Sequence, residues 1–176
     1  MRCYLDGMDE AARGYRATKP AAPPPRVLAA LGPKMLALAA ERARGAHPYL
    51  VTPEHTAKAR STLGPDSWLL PEQAVVLETN PDQARAIARR HISRYLDLPN
   101  YTNNWRRLGF TDDDLVGQGS DRLVDALVAW GDVEAVSRRV KDHLNAGADH
   151  VCIQVFDSEP HDLPLRQWRT LAMAML

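Results

Sequence analysis

No apolar run in this 176-residue chain approaches the roughly 18 residues of a transmembrane helix, and the mean hydropathy is −0.37, so no membrane span is expected. A charge excess is missing too. Lysine plus arginine number 22 and aspartate plus glutamate 22, a balance that argues against a dedicated nucleic-acid binder. Cysteine is scarce, and Cys3 and Cys152 stand far apart. Met1-Arg2-Cys3-Tyr4 leads into acidic residues, with neither an apolar signal core nor a small-residue cleavage site. The expectation is a soluble cytoplasmic protein with free thiols. Its length suits one domain.

Several chemical signatures are absent as well. There is no Walker-type GxxxxGKS/T loop, no GxGxxG fingerprint and no HExxH. His55, His91, His143, His150 and His161 keep no metal-ligand spacing and Cys152 is isolated, so no metal site is expected. No Ser-His-Asp or Cys-His arrangement can be argued, and no catalytic residue is assigned. Internal repeats are lacking. The one biased tract is residues 13–25, RGYRATKPAAPPP, an extended proline-rich connector.

What is there begins with residues 26–51. Residues 26–31 (RVLAAL) read as a short buried strand, Gly32-Pro33 breaks it, and residues 34–44 place Met35, Leu36, Leu38, Ala39 and Ala43 at helical spacing. Gly45 stops that helix before a second strand at 46–51. Strand, turn, helix and strand make a βαβ unit with parallel strands and a right-handed crossover. Helix N–H groups at Gly32-Pro33-Lys34 can hold an anion, with Lys34 adding charge. An ordinary helix start with proline at its first position has the same spacing. His47 can face a ligand from the second strand, or simply pack there.

Residues 1–12 read as the end of a helix with no N-cap before it, so the chain is expected to begin inside that helix. Beyond the βαβ unit, Thr52 and Pro53 start a helix that ends near Gly64. A third strand is expected at 74–77. Asn80-Pro81 then opens a helix whose stripe is Ala84, Ile87, Ala88, His91, Ile92, Tyr95 and Leu96. Residues 98–110 (LPNYTNNWRRLGF) read as a loop or a helix junction that either lines a pocket or packs on the sheet. Thr111 and Ser120 cap short helices, the second carrying Leu123, Val124, Leu127 and Trp130. Asp132 starts another, which Gly147 stops. A fourth strand is expected at 148–156 and a last helix at 164–175. Four strands alternating with helices mean α/β with a parallel sheet, either an open doubly wound sheet or part of a (β/α)8 barrel. A full barrel takes about 250 residues.

The segments RVLAALGPKMLALAAERARGAHPYLVTPEHT, PEQAVVLETNPDQARAIARRHISRYLDLPNYTNNWRRLGFTDDD and AGADHVCIQV resemble the C-terminal part of luciferase-like monooxygenases. More narrowly they resemble the actinobacterial branch that uses the deazaflavin coenzyme F420, from about Tyr4 to the end. The resemblance implies the C-terminal half of a (β/α)8 barrel. Residues 1–176 would be one partial domain: a helix end and linker at 1–25, then four β/α units at 26–176 corresponding to the fifth to eighth strands. It implies that Leu31, Gly32, Pro33 and Lys34 meet the phosphate side of the cofactor, with His47, Pro48 and Tyr49 next to them. The cofactor would be coenzyme F420, or FMN in its place, and the reaction a hydride transfer to or from a small organic substrate. The family's first four strands, which carry most of its ring pocket and catalytic side chains, have no counterpart. The competing expectation is therefore a truncated, non-catalytic half-barrel. It would self-associate as a homo-oligomer, or pair with an N-terminal partner, through open sheet edges.

Overall fold

The computed structural model describes residues 1–18, 20–159 and 163–175. In chain order the elements are α1 (Arg2–Gly14), β1 (Val27–Ala29), α2 (Pro33–Arg42), β2 (Gly45–His47), α3 (Pro53–Leu63), β3 (Trp68–Leu69), β4 (Glu72–Val76) and α4 (Pro81–Leu96). They continue with α5 (Pro99–Arg107), α6 (Asp112–Leu115), α7 (Asp121–Leu127), β5 (Val128–Trp130), α8 (Val133–Asn145), β6 (Cys152–Val155) and α9 (Leu165–Met175). No helix among the described residues is long and apolar enough to cross a membrane.

Local chemistry starts the helices. Proline stands in the first turn of α2, α3, α4 and α5, where a missing N–H costs nothing. Asn80 Oδ1 accepts the Asp82 and Gln83 N–H groups at 3.1 Å each, and Asp132 Oδ1 accepts Ala135 N–H at 2.8 Å. Gly147, at φ 100°, takes the left-handed conformation just past α8.

The strands form two parallel three-stranded sheets, ordered β1-β2-β3 and β5-β4-β6. Backbone bonds run through the break between them. Leu70 N–H donates to Ala46 O and Glu72 N–H to Pro48 O, both at 2.9 Å, so the β2 pairing continues past Leu69. On the opposite edge Asp149 N–H donates to Leu69 O and Cys152 N–H to Pro71 O, again at 2.9 Å, and Phe156 N–H to Val75 O at 2.8 Å. Alternate residues of a strand face opposite edges. Residues 68, 70 and 72 face β2, and Val76, of the same parity, accepts from Gly131 N–H at 3.1 Å beside β5. Thus β5 takes over the edge that β2 leaves. At the other end of that edge, a Cβ on Gly45 would stand 2.0 Å from Trp68 O, so β2 can lie this close only without a side chain.

Three expectations need correction. About four strands were expected, and six short segments are present. Trp68–Leu69, outside the third strand expected at 74–77, pairs with β2 as β3, and Pro71, with no N–H to donate, stands between it and β4. Val128, Ala129 and Trp130, expected to end a helix, instead pair with Ala74, Val75 and Val76. Residues 98–110 are neither loop nor bare junction: α5 forms there around buried Thr102, Asn104 and Trp105.

Both faces of β4 are covered. Ala74 and Val76 pack with Ala84, Ala88 and Ile92 of α4, Trp105 of α5, and Leu123, Val124 and Leu127 of α7. Val75 faces the other way, against Ala129, Val136 and Leu171. A third cluster joins Leu5 of α1 to Leu28, Leu36, Ala46, Ala59, Leu63 and Leu69.

One polar chain runs through this interior. Gln73 Nε2 donates to Leu127 O at 3.0 Å, and its Oε1 can only accept, so the 2.9 Å contact to His143 Nε2 is donated by the imidazole. His143 Nδ1 then accepts from Thr56 Oγ1 at 2.8 Å. The chain ties β4, α8 and α3 together with every ring nitrogen partnered. Replacing His143 with Leu strands Gln73 Oε1 and leaves Thr56 Oγ1 only its 3.5 Å bond to Thr52 O. Urea denaturation is expected to show a loss of about 2 kcal/mol, and a variant as stable as the parent would contradict the assignment.

Candidate functional site

Because all the strand pairings are parallel, the C-terminal ends of β1, β2, β4 and β6 lie along one rim. At one end of it stands the turn Leu31-Gly32-Pro33-Lys34. Gly32 is the N-cap of α2, and its carbonyl accepts the N–H groups of Met35 and Leu36 at 3.0 Å each. Pro33 has no N–H, so the Gly32 and Lys34 amides are the ones without a partner among the described residues. The Leu31 carbonyl accepts from His55 Nε2 at 2.8 Å, which fixes the turn from below. Lys34 is exposed. Arg107, from α5, brings its Nη1 to 3.7 Å from where a Cβ on Gly32 would stand. Lys58 donates to Arg107 O at 3.4 Å. No carboxylate among the described residues pairs with Lys34, Lys58 or Arg107. The turn therefore gathers positive charge that is not neutralised within the described chain.

The second expected group is placed differently. His47 lies beside Ala29 in register, two residues short of Leu31, and its Nδ1 is taken by Leu70 O at 2.5 Å. Pro48 is buried with its carbonyl on Glu72 N–H. Tyr49 enters another cluster, where its hydroxyl donates to Gln154 Oε1 at 2.6 Å and lies 3.1 Å from His91 Nε2. The structure keeps Leu31, Gly32, Pro33 and Lys34 together as a turn. It shows no side-chain contact from His47 or Tyr49 to that turn.

Leu50 follows in a left-handed conformation, φ 51°, although it is a buried non-glycine residue. Two side chains hold it there: Leu50 N–H donates to Glu72 Oε2, and Leu50 O accepts from Trp105 Nε1, both at 3.1 Å. Glu72 is 3% exposed and its Oε1 has no partner. Burial pushes its carboxyl up to about 7, against a smaller pull downwards from the Leu50 amide. The Tyr49 and Tyr101 phenols are raised, chiefly by burial, with Glu72 contributing to each.

Around Tyr49 and His91 the rings interlock. His91 and Phe156 lie 3.9 Å apart between centroids, and Tyr95 and Tyr101 4.7 Å apart. Burial holds His91 at about 4, with the Arg94 charge acting the same way. Sequence reasoning missed Arg107, Glu72, His91 and Gln154 as site residues. The available signal was His91 itself, a histidine inside an otherwise apolar helical stripe. Among the described residues no three His, Cys, Asp or Glu side chains are grouped to hold a metal ion.

The pH dependence follows from these groups. His91 and His143, both held near 4 by burial against an ordinary 6.5, bind fewer protons folded than unfolded between those values, so stability rises with pH across that window. His55, also lowered by burial, adds to the rise. Glu72 acts oppositely: it holds its proton to about 7 when folded and 4.5 otherwise, so its contribution falls as pH passes between them. The histidines outweigh the glutamate up to pH 6.5, which puts maximum stability near there. In Glu72→Gln the decline towards pH 7 disappears and stability at pH 8 increases by up to about 3 kcal/mol. Urea titrations from pH 4 to 8 test this, and identical profiles for parent and variant would refute it.

No protein-family model and no curated protein matches the chain. Solved structures do. Apo-MsnO8 is 18% identical with a TM-score of 0.61, covering 98% of this chain and 60% of that one. The coenzyme F420-dependent tetrahydromethanopterin reductase of Methanopyrus kandleri is 16% identical at 0.60, covering 74% and 44%. The FMN-bound oxygenating constituent of 3,6-diketocamphane monooxygenase from Pseudomonas putida is 16% identical at 0.51, covering 82% and 44%. The chain thus spans less than two thirds of the length of the structures it matches. These likenesses include an F420-dependent and an FMN-bound protein, so they do not single out one cofactor. The chain shares the fold of these structures over part of their length.

Proposed function

We propose that the chain is the C-terminal half of a (β/α)8 oxidoreductase whose turn Leu31-Gly32-Pro33-Lys34 holds the phosphate-bearing end of coenzyme F420, with FMN as the alternative. The observation that carries this reading is the uncompensated positive charge at Gly32. The amides of Gly32 and Lys34, the Lys34 ammonium and the Arg107 guanidinium have no carboxylate or backbone partner among the described residues, and a phosphate supplies the acceptors they lack. His55 keeps the turn in shape through Leu31 O. His47, Pro48 and Tyr49 line the adjoining strand end. The bound coenzyme supplies the hydride chemistry, and this chain supplies position and charge for a small organic substrate.

Titrating the purified chain with coenzyme F420 and with FMN, following cofactor fluorescence, tests the reading. Binding is expected to weaken about tenfold in Lys34→Ala and again in Arg107→Ala, in keeping with one charge-assisted contact each. An unchanged fluorescence at high micromolar protein would remove the cofactor from this chain.

A second reading, a non-catalytic half-barrel that associates, is favoured by different residues. β1 pairs only with β2 and β6 only with β4 among the described strands, leaving one edge of each open. Met1, Tyr4, Met8 and Tyr15 on and beside α1 are 62%, 66%, 42% and 59% exposed at helical spacing. Light scattering separates the two readings: a monomer with a sharp melting transition excludes association.

A further inference from the structure

Among the described residues Leu50 is the one non-glycine at positive φ, and it is 1% exposed. The peptide that precedes it is held from one side only. Its N–H, from Leu50, donates to Glu72 Oε2 at 3.1 Å. Its C=O, from Tyr49, accepts no hydrogen bond from any described residue. The Trp105 bond falls on the next peptide, at Leu50 O, and is untouched by a turn of this one. A left-handed leucine costs free energy, so a single N–H bond to a carboxyl group keeps this peptide as it stands.

Glu72 suits that task in one protonation state only. Its side chain is 3% exposed, its Oε1 is sealed and unpartnered, and no basic side chain among the described residues pairs with it. As a carboxylate it has one donor, the Leu50 amide, and burial opposes its charge. As an acid it still accepts that N–H, but its own O–H then has no acceptor. The unused acceptor is the other end of the same peptide. Half a revolution of the peptide plane puts the Tyr49 C=O where the Leu50 N–H now points. It also takes φ of Leu50 from 51° to about −130°, inside the β region open to any L residue. One protein hydrogen bond is lost, one is made, and the strain at Leu50 is released.

We propose that the Tyr49–Leu50 peptide is a proton-operated, two-position switch at the rim. With Glu72 ionised, the Leu50 N–H points at the carboxylate, as in this structure. With Glu72 protonated by water, the peptide turns over and the carboxyl O–H donates to the Tyr49 carbonyl. Tyr49 is tied to Gln154 of β6 and Leu50 to Trp105 of α5, so the moving peptide joins those two elements.

The turned form binds the proton more tightly, because the acid O–H is used there and the N–H that favours the carboxylate is gone. With the N–H in place, burial already lifts the carboxyl to about 7. The turned form is therefore favoured as pH falls towards 7 and the left-handed form above that window. Within it each pH unit changes their ratio up to about tenfold. The surrounding groups keep their charge state there. Tyr49, Tyr101 on α5 and Cys152 opposite Glu72 on β6 are all raised, chiefly by burial, and His91 on α4, behind Tyr49, is held near 4. His47 on β2 points its Nδ1 at Leu70 O instead.

The test follows the whole chain by NMR, labelled with 15N and 13C, from pH 8.5 to 6. No ligand is added, so the outcome is independent of the turn at Gly32. A left-handed residue brings its amide proton close to its own Hα and an extended one does not. The Leu50 intraresidue NOE is expected to be strong at pH 8.5 and to weaken several-fold by pH 6. Its midpoint should match that of the Glu72 side-chain carboxyl 13C resonance. In Glu72→Gln, whose amide serves either orientation and does not ionise, the Leu50 NOE is expected to be independent of pH. A Leu50 NOE that is constant across the range in the parent would overturn the proposal, and so would a Leu50 transition that persists in Glu72→Gln. The parent titration is decisive by itself, so nothing hinges on how well the variant folds.

Discussion

Residues 68–76 are bonded on both edges, and the remaining architecture hangs from that double pairing. On one edge they hold β2 and then β5, and on the other β6. The two sheets are separate by pairing pattern, yet Leu70 and Glu72 carry bonds to β2 across the interval that Pro71 creates. Gly45 shows how tightly this is drawn, since β2 reaches β3 at a spacing that excludes any side chain there. The helices then cover faces that this strand path defines.

That arrangement also explains what could be read from the chain alone. The βαβ unit, the caps at Asn80 and Asp132 and the stripe of α4 are set by neighbours a few residues away, so residue type and spacing carry them. Trp68–Leu69 and Val128–Trp130 are strands only because a distant partner pairs with them, and two or three residues have no period to detect. The α5 stretch is polar enough to read as a loop, and burial of Thr102, Asn104 and Trp105 decides otherwise. The rim turn was legible for the same local reason as the caps. The Tyr49–His91–Gln154 cluster was not, because its members come together from position 49 past β2, position 91 on α4 and position 154 on β6.

The rim is also where local order is sacrificed. Leu50 takes a conformation that costs a non-glycine residue free energy, and Glu72 and Trp105 both spend a side-chain bond to keep it there. Glu72 in turn retains an unpaired oxygen, as do the neighbouring His91 and Asn104 with their nitrogens. The Gln73–His143–Thr56 chain has no such remainder. Buried polar groups are thus completed along the Gln73–His143–Thr56 chain and left incomplete at the adjoining Glu72 and His55 and at His91 and Asn104.

The open edges of β1 and β6 have a geometric consequence of their own. Two strands that pair in parallel cannot present the same edge to each other, so a parallel join must set the β6 side of one copy against the β1 side of the next. Every such join leaves one edge of each kind unused at the two ends. Such a contact would be head-to-tail, and would repeat until accumulated twist brought the last strand round to the first, or else propagate as a filament. Strand twist, rather than edge chemistry, would then set the number of copies.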